Sequence, residues 1–228
     1  AYDNVIHDVA IQDLPVVMCL DRGGLVGEDG VTHHGVFDMA AFGAVPGLTI
    51  AAPMNEPELR NMMYTALGSG HPFMIRYPRG HGEGLPWRGE KFETLPVGRG
   101  RRLREGADVA LLTVGTVGNA AARAAGRAAA EGVSVAHYDL RFVKPLDEAL
   151  LDEVGRKFRR VVTVEDGSLR GGVGEAVAAF FNGRGYDVRV QRLGIGDEWV
   201  EHGTPGQLYA LCGYDEEGIL RALLDTRA

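Results

Sequence analysis

Apolar runs of strand length alternate with segments of helical period along nearly the whole chain, and this alternation limits the fold more than any other feature. The stretches 15–20 (PVVMCL), 48–52 (LTIAA), 73–76 (FMIR), 107–114 (ADVALLTV), 133–138, 160–165 (RVVTVE) and 187–193 read as strands, the first of them buried. Between and around them, 2–12, 35–44, 55–67, 117–131, 147–157, 172–183 and 215–225 read as helices. Asn55 is placed to cap its helix, with Pro57 and Glu58 in the first turn. Strand, helix and strand in succession make a crossover between parallel strands, so the fold class is α/β. With 228 residues, 45% of them apolar, the chain can bury the core of one large domain or two ordinary ones.

The rhythm breaks once. Residues 78–97 are rich in glycine, proline and charge, the composition of a linker or long surface loop. The expected organisation is a first domain over 1–80, a linker over 81–97 and a second domain over 98–228. The second part reads as a complete three-layer α/β unit. The first has about three strands, too few for a freestanding sheet of this type. It also opens directly on a helical pattern at Ala1, so further sequence on the N-terminal side is expected. A net charge of −7 argues against nucleic acid or an anionic membrane as partner. No apolar run approaches the ~20 residues that span a bilayer. Cys19 in an apolar run and Cys212 in a helical pattern read as buried thiols, which suits a reducing cytoplasm.

Residues 21–37 (DRGGLVGEDGVTHHGVF) carry the chemistry. Five glycines in seventeen residues are hard to explain by packing, since each costs folding entropy and buries no side chain. Together with Arg22, Glu28, Asp29, His33 and His34 they read as the wall of a polar site on a loop. In a parallel sheet the C-terminal ends of all strands share one edge, where ligands bind. Arg22 follows one strand and Arg79 another, so both emerge on that edge. Two converging guanidinium groups match a phosphate monoester or a carboxylate, although on position alone each reads more readily as a surface ion pair or a carbonyl cap. His33 and His34 precede a helical pattern; at a helix N-terminus the dipole would favour the neutral ring, able to take or give a proton near neutrality. The alternative is local packing or capping, and metal binding lacks further ligands at the right spacing. Asp29 would orient His33 or hold a substrate hydroxyl, or else simply form an Asp-Gly turn. In the second half, 167–177 (GSLRGGVGEAV) places a glycine-rich turn between strand and helix, the context of phosphate binding. Its spacing does not fit G-x-G-x-x-G, and a tight turn or a subunit contact is the preferred reading. His202 reads as structural or interfacial.

The runs DRGGLVGEDGVTHHGVFDMA, APMNEPELRNMMYTAL, IRYPRG, RFVKPLD and WVEHGTPGQL resemble the 1-deoxy-D-xylulose 5-phosphate synthase family of the transketolase superfamily. The likeness covers essentially the whole chain. It implies that 1–80 is the second half of a parallel-sheet pyrimidine-binding domain and that 98–228 is a complete transketolase C-terminal α/β domain. It implies a cytoplasmic, homodimeric transferase dependent on thiamine diphosphate and Mg2+. Such an enzyme condenses pyruvate with D-glyceraldehyde 3-phosphate to 1-deoxy-D-xylulose 5-phosphate and CO2, for isoprenoid, thiamine and pyridoxal phosphate synthesis. By the same likeness Arg22 and Arg79 would grip the phosphate, with His34 a further substrate-binding candidate. His33 and Asp29 would contact the substrate hydroxyls and the reacting intermediate, His33 as a proton-transfer group. The family's G-D-G…N motif for Mg2+ and diphosphate has no counterpart here. The glutamate that activates the cofactor is expected before Ala1, so cofactor and metal would be bound mainly by parts absent from this chain. The expectation is an inactive fragment that works with its N-terminal complement. Transketolase itself, a 2-oxo acid dehydrogenase beta subunit and a non-catalytic dimerisation module are the rival readings.

Overall fold

The computed structural model describes residues 1–89 and 91–225. Its first elements are α1 (Tyr2–Asn4, continued as a π-helix over Val5–Ala10), β1 (Val17–Leu20), α2 (Asp38–Gly43), β2 (Thr49–Ala51), α3 (Glu56–Leu67) and β3 (Phe73–Arg76). There follow β4 (Arg101–Arg104), β5 (Val109–Val114), α4 (Val117–Ala130), β6 (Val135–Asp139), β7 (Phe142–Lys144) and α5 (Glu148–Lys157). The last are β8 (Arg160–Ser168), α6 (Val173–Gly183), β9 (Arg189–Ile195), α7 (Pro205–Leu211) and α8 (Glu216–Leu224). The strands make a four-stranded sheet in the order β1-β3-β2-β7 and a five-stranded sheet in the order β4-β6-β5-β8-β9. Both are parallel except for β7 and β4, each antiparallel to its neighbour.

The first sheet is completed by the second half of the chain. After β6 the backbone turns at Arg141, whose φ of 59° is left-handed, and β7 pairs with β2. A second attachment reinforces this. Glu58, buried on α3, receives Arg141 at 2.8 and 2.9 Å and Arg101 at 2.8 Å, while Arg101 also reaches Asp139 at 3.1 Å. Burial of Asp139 raises its carboxyl to about 6, against the pull of Arg101. The stretch 81–97 is strapped to α3 as well: Leu95 N–H donates to Thr65 Oγ1 at 2.8 Å and Gly84 N–H to Glu56 Oε1 at 2.6 Å.

Local chemistry explains the elements. The side chain of Asn55 accepts from Glu58 N–H at 3.1 Å, and Asp147 and Asp215 cap α5 and α8 in the same way. On α4 the fully buried Ala121, Ala124, Ala125 and Ala128 form one stripe at helical spacing. Their small side chains let α4 lie close to Val109, Leu111 and Val135 on the sheet and to Ile219 and Leu223 of α8. β1 is less buried than its composition suggests, because it is an edge strand; Cys19 is exposed, correcting the reading of it as a buried thiol. Cys212 is half-buried, just past α7, and burial pushes its thiol up.

Candidate active site

The glycine-rich loop leaves β1 at Leu20 and returns at α2. Its neck is stitched shut: Gly24 N–H donates to Gly35 O at 2.8 Å and Gly35 N–H to Gly24 O at 2.9 Å, while Gly23 N–H donates to Tyr77 O at 2.9 Å. Two glycines here are sterically obligatory. A Cβ on Gly24, at φ 84°, would lie 1.8 Å from Asp166 Oδ2, and one on Gly35 would lie 2.2 Å from Arg22 O. The loop tip turns tightly, with Gly30 N–H donating to Gly27 O at 3.2 Å and His33 N–H to Gly30 O at 3.0 Å.

The segment after β9 braces the tip from outside. Gly203 N–H donates to Gly27 O at 3.4 Å, the His202 side chain lies against Gly30, and Trp199 meets Phe37 edge-on at 6.1 Å. His34 is fixed between the two: Nδ1 accepts from Val26 N–H and Nε2–H donates to Val200 O, both at 3.1 Å. Both ring nitrogens are thereby used within the chain. His33 is exposed, its Nδ1 2.9 Å from Thr32 Oγ1. Neither histidine stands at a helix N-terminus, because α2 begins only at Asp38; the pairing of Gly35 with the loop neck keeps the backbone extended until then.

Asp29 turns to Arg79 rather than to His33, and their side chains pair at 2.6 Å. Both are partly exposed, 33% and 46%, so solvent screens the pair, and its net worth is about 0–1 kcal/mol. Arg22 adopts a left-handed φ of 60° and pairs with the adjacent Asp21 at 2.5 Å. Leu20 and Arg76 are register partners on β1 and β3, so Arg22 and Arg79 leave the same edge of one sheet two and three residues later. A cleft of about 660 Å3 opens there, walled by Pro53–Glu56, by Tyr77–Glu83, by the first half of α4 and by Tyr209 and Tyr214. Of the five nominated residues Arg79 alone lines it.

Beneath the loop lies a buried polar cluster that the sequence reading missed. Arg76 donates to Asp38 Oδ2 at 2.6 Å and to Asp166 O at 2.9 Å. Asp166 Oδ1 accepts from Leu25 N–H at 3.1 Å and from Tyr214 O–H at 2.6 Å. Burial opposes the charge on Arg76, but Asp38 and Asp166 overcome it, and its pKa is raised. Next along β8, Glu165 accepts from Val173 N–H at 2.7 Å and Gly174 N–H at 2.8 Å. Burial nevertheless lifts its carboxyl to about 7. The glycine-rich turn at 167–177 is therefore a tight turn whose helix amides are taken by the protein's own carboxyl group.

Residues 1–83 match the transketolase pyrimidine binding domain, and 98–219 match the transketolase C-terminal domain. A 1-deoxy-D-xylulose-5-phosphate synthase of Bacteroides fragilis is 58% identical over 229 residues, covering 100% of this chain and 35% of the relative. The synthase of Symbiobacterium thermophilum is 48% identical over 96% of this chain and 34% of its own length. Thus the chain spans about a third of the length of the curated relatives it matches. A split-gene transketolase, solved as an inactive beta4 tetramer, superposes with a TM-score of 0.87 at 27% identity, covering 98% of this chain and 70% of that one. Paired family domains on a matching α/β fold lead to one conclusion: the chain belongs to the transketolase family.

Proposed function

We propose that this chain supplies the acceptor-aldehyde side of a 1-deoxy-D-xylulose 5-phosphate synthase, which joins pyruvate to D-glyceraldehyde 3-phosphate with loss of CO2. The observation that carries the reading is the meeting of Arg79 and Asp29 at 2.6 Å over the C-terminal edge of the first sheet, with Arg22 leaving the same edge from the adjacent strand. Arg79 and Arg22 offer rigid donor forks to the phosphate. Asp29 accepts from a substrate hydroxyl, and the exposed His33 moves a proton at the reacting oxygen. His34, tied at both ring nitrogens, holds the loop to the segment after β9. The names of the relatives favour the synthase over a 2-oxo acid dehydrogenase subunit.

Thiamine diphosphate would supply the stabilised carbanion chemistry of such a reaction. The described residues do not fit its diphosphate and metal. No three His, Cys, Asp or Glu side chains among them cluster as metal ligands, and Glu165 occupies the amides that begin α6. By the same reading cofactor and Mg2+ are held mainly by residues outside this chain, and homodimerisation and a cytoplasmic setting go with it. Among the described residues no helix is long and apolar enough to cross a membrane.

The test is reconstitution. Purified with its N-terminal complement, thiamine diphosphate and Mg2+, the chain should form 1-deoxy-D-xylulose 5-phosphate and release CO2 from pyruvate and glyceraldehyde 3-phosphate. Alone it should release none. Turnover by the chain alone, or none by the reconstituted protein, would overturn the proposal.

A further inference from the structure

Arg76 ends β3 with its side chain 95% buried, and its guanidinium lies under the neck of the glycine-rich loop. Nη2 is 3.4 Å from Gly35 O and 2.9 Å from Asp166 O, and Nε donates to Asp38 Oδ2 at 2.6 Å. A Cβ on Gly23 would stand only 3.1 Å from Nη2 and 3.2 Å from Nε, so this backbone rests directly on the guanidinium plane. One side chain therefore touches the start of the loop, its return, the first residue of α2 and the end of β8.

These contacts sit beside the candidate residues in sequence. Arg22 immediately precedes Gly23, His33 stands two before Gly35, and Arg79 follows Arg76 by three. We propose that Arg76 is a positioning residue, which sets the spacing of the loop against Arg79 and so adjusts the site to a phosphorylated aldehyde. The inference rests on the reading given under Proposed function. Arginine is required because its planar fork serves Asp38, Gly35 O and Asp166 O in different directions at once. A lysine ammonium would reach one of these sites and leave others buried without a donor.

Two variants of the full-length protein test this, Asp38→Asn and Arg76→Lys, each checked for folding by circular dichroism. Asp38→Asn keeps the shape of the side chain and removes the charge that holds Nε. KM for glyceraldehyde 3-phosphate should rise about tenfold or more while KM for pyruvate stays within about twofold, and amide hydrogen exchange over 21–37 should quicken about tenfold while that of α4 does not change. Arg76→Lys should do at least as much; if it fails to fold, Asp38→Asn decides. A folded Asp38→Asn protein with wild-type loop exchange and wild-type acceptor KM overturns the proposal, even if its melting temperature falls. If the wild-type full-length protein makes no 1-deoxy-D-xylulose 5-phosphate, the synthase reading fails separately, and loop exchange alone decides the role of Arg76.

Discussion

Replacing Gly24 with alanine should destabilise the protein far more than the same change at Gly47. Both positions have left-handed φ, 84° and 74°, so an added Cβ carries a similar backbone cost, about 1–2 kcal/mol. At Gly47 nothing lies within 4 Å of the new atom. At Gly24 it would stand 1.8 Å from Asp166 Oδ2 and 2.1 Å from Cγ, so the carboxylate must move. Moving it breaks the bonds from Leu25 N–H and Tyr214 O–H, both buried. Each buried group left unsatisfied costs about 1–3 kcal/mol, so the two together add about 2–6 kcal/mol. That is a large share of the roughly 5–15 kcal/mol that holds a typical domain folded. Urea unfolding of the two full-length variants, followed by far-ultraviolet circular dichroism, measures the gap. Equal midpoints for Gly24→Ala and Gly47→Ala would refute the packing of the loop neck on Asp166.

His33→Ala should lower kcat by about 10²-fold in the reconstituted synthase if the imidazole transfers protons, with the fold unchanged; steady-state kinetics reads this, and a near wild-type rate would leave it a surface residue. His137 offers a test by pH. Buried and 2.9 Å from Thr113 Oγ1, it is held at about 4 by burial and then by Arg101 and Arg104. The unfolded chain protonates this ring near 6.5, so the folded state loses ground as pH falls from 6.5 toward 4, by about 3 kcal/mol in all. Above pH 6.5 the contribution is fully present. In His137→Phe that part of the slope should vanish, while Thr113 Oγ1 keeps its bond to Tyr138 O at 3.4 Å. Urea midpoints between pH 4 and 7 that run parallel in the two proteins would contradict it.

The central strands of the second sheet are easy to read: 109–114 is buried throughout and apolar but for Thr113, and 160–165 is buried from Val161 onward and carries three valines beside the buried Thr163 and Glu165. β4 is not. Its sequence is RRLR, an edge strand whose charges pair sideways with Asp139 and Glu153, and such a pattern resembles a solvated loop. β7 is only three residues long and owes its existence to pairing with a distant strand. α7 carried a usable signal, the capping box of Thr204 and Gln207 with Pro205 between them. In the loop, the glycines announce close approach, but nothing local says to what. The partners of Arg76 lie 38 and 90 positions away, and an arginine closing the run FMIR reads as the polar end of a strand. Likewise Asp29 lies close to His33 in sequence, yet the turn at Gly30 sends it to Arg79, 50 positions on.

The most direct measurement compares phosphorylated and unphosphorylated acceptors. In the full-length protein, kcat/KM for D-glyceraldehyde 3-phosphate should far exceed that for D-glyceraldehyde. Arg79→Ala should cut that ratio by about 10- to 150-fold, the loss of one charge-assisted contact worth about 1.5–3 kcal/mol. A ratio unchanged by Arg79→Ala would mean that this guanidinium does not hold the phosphate.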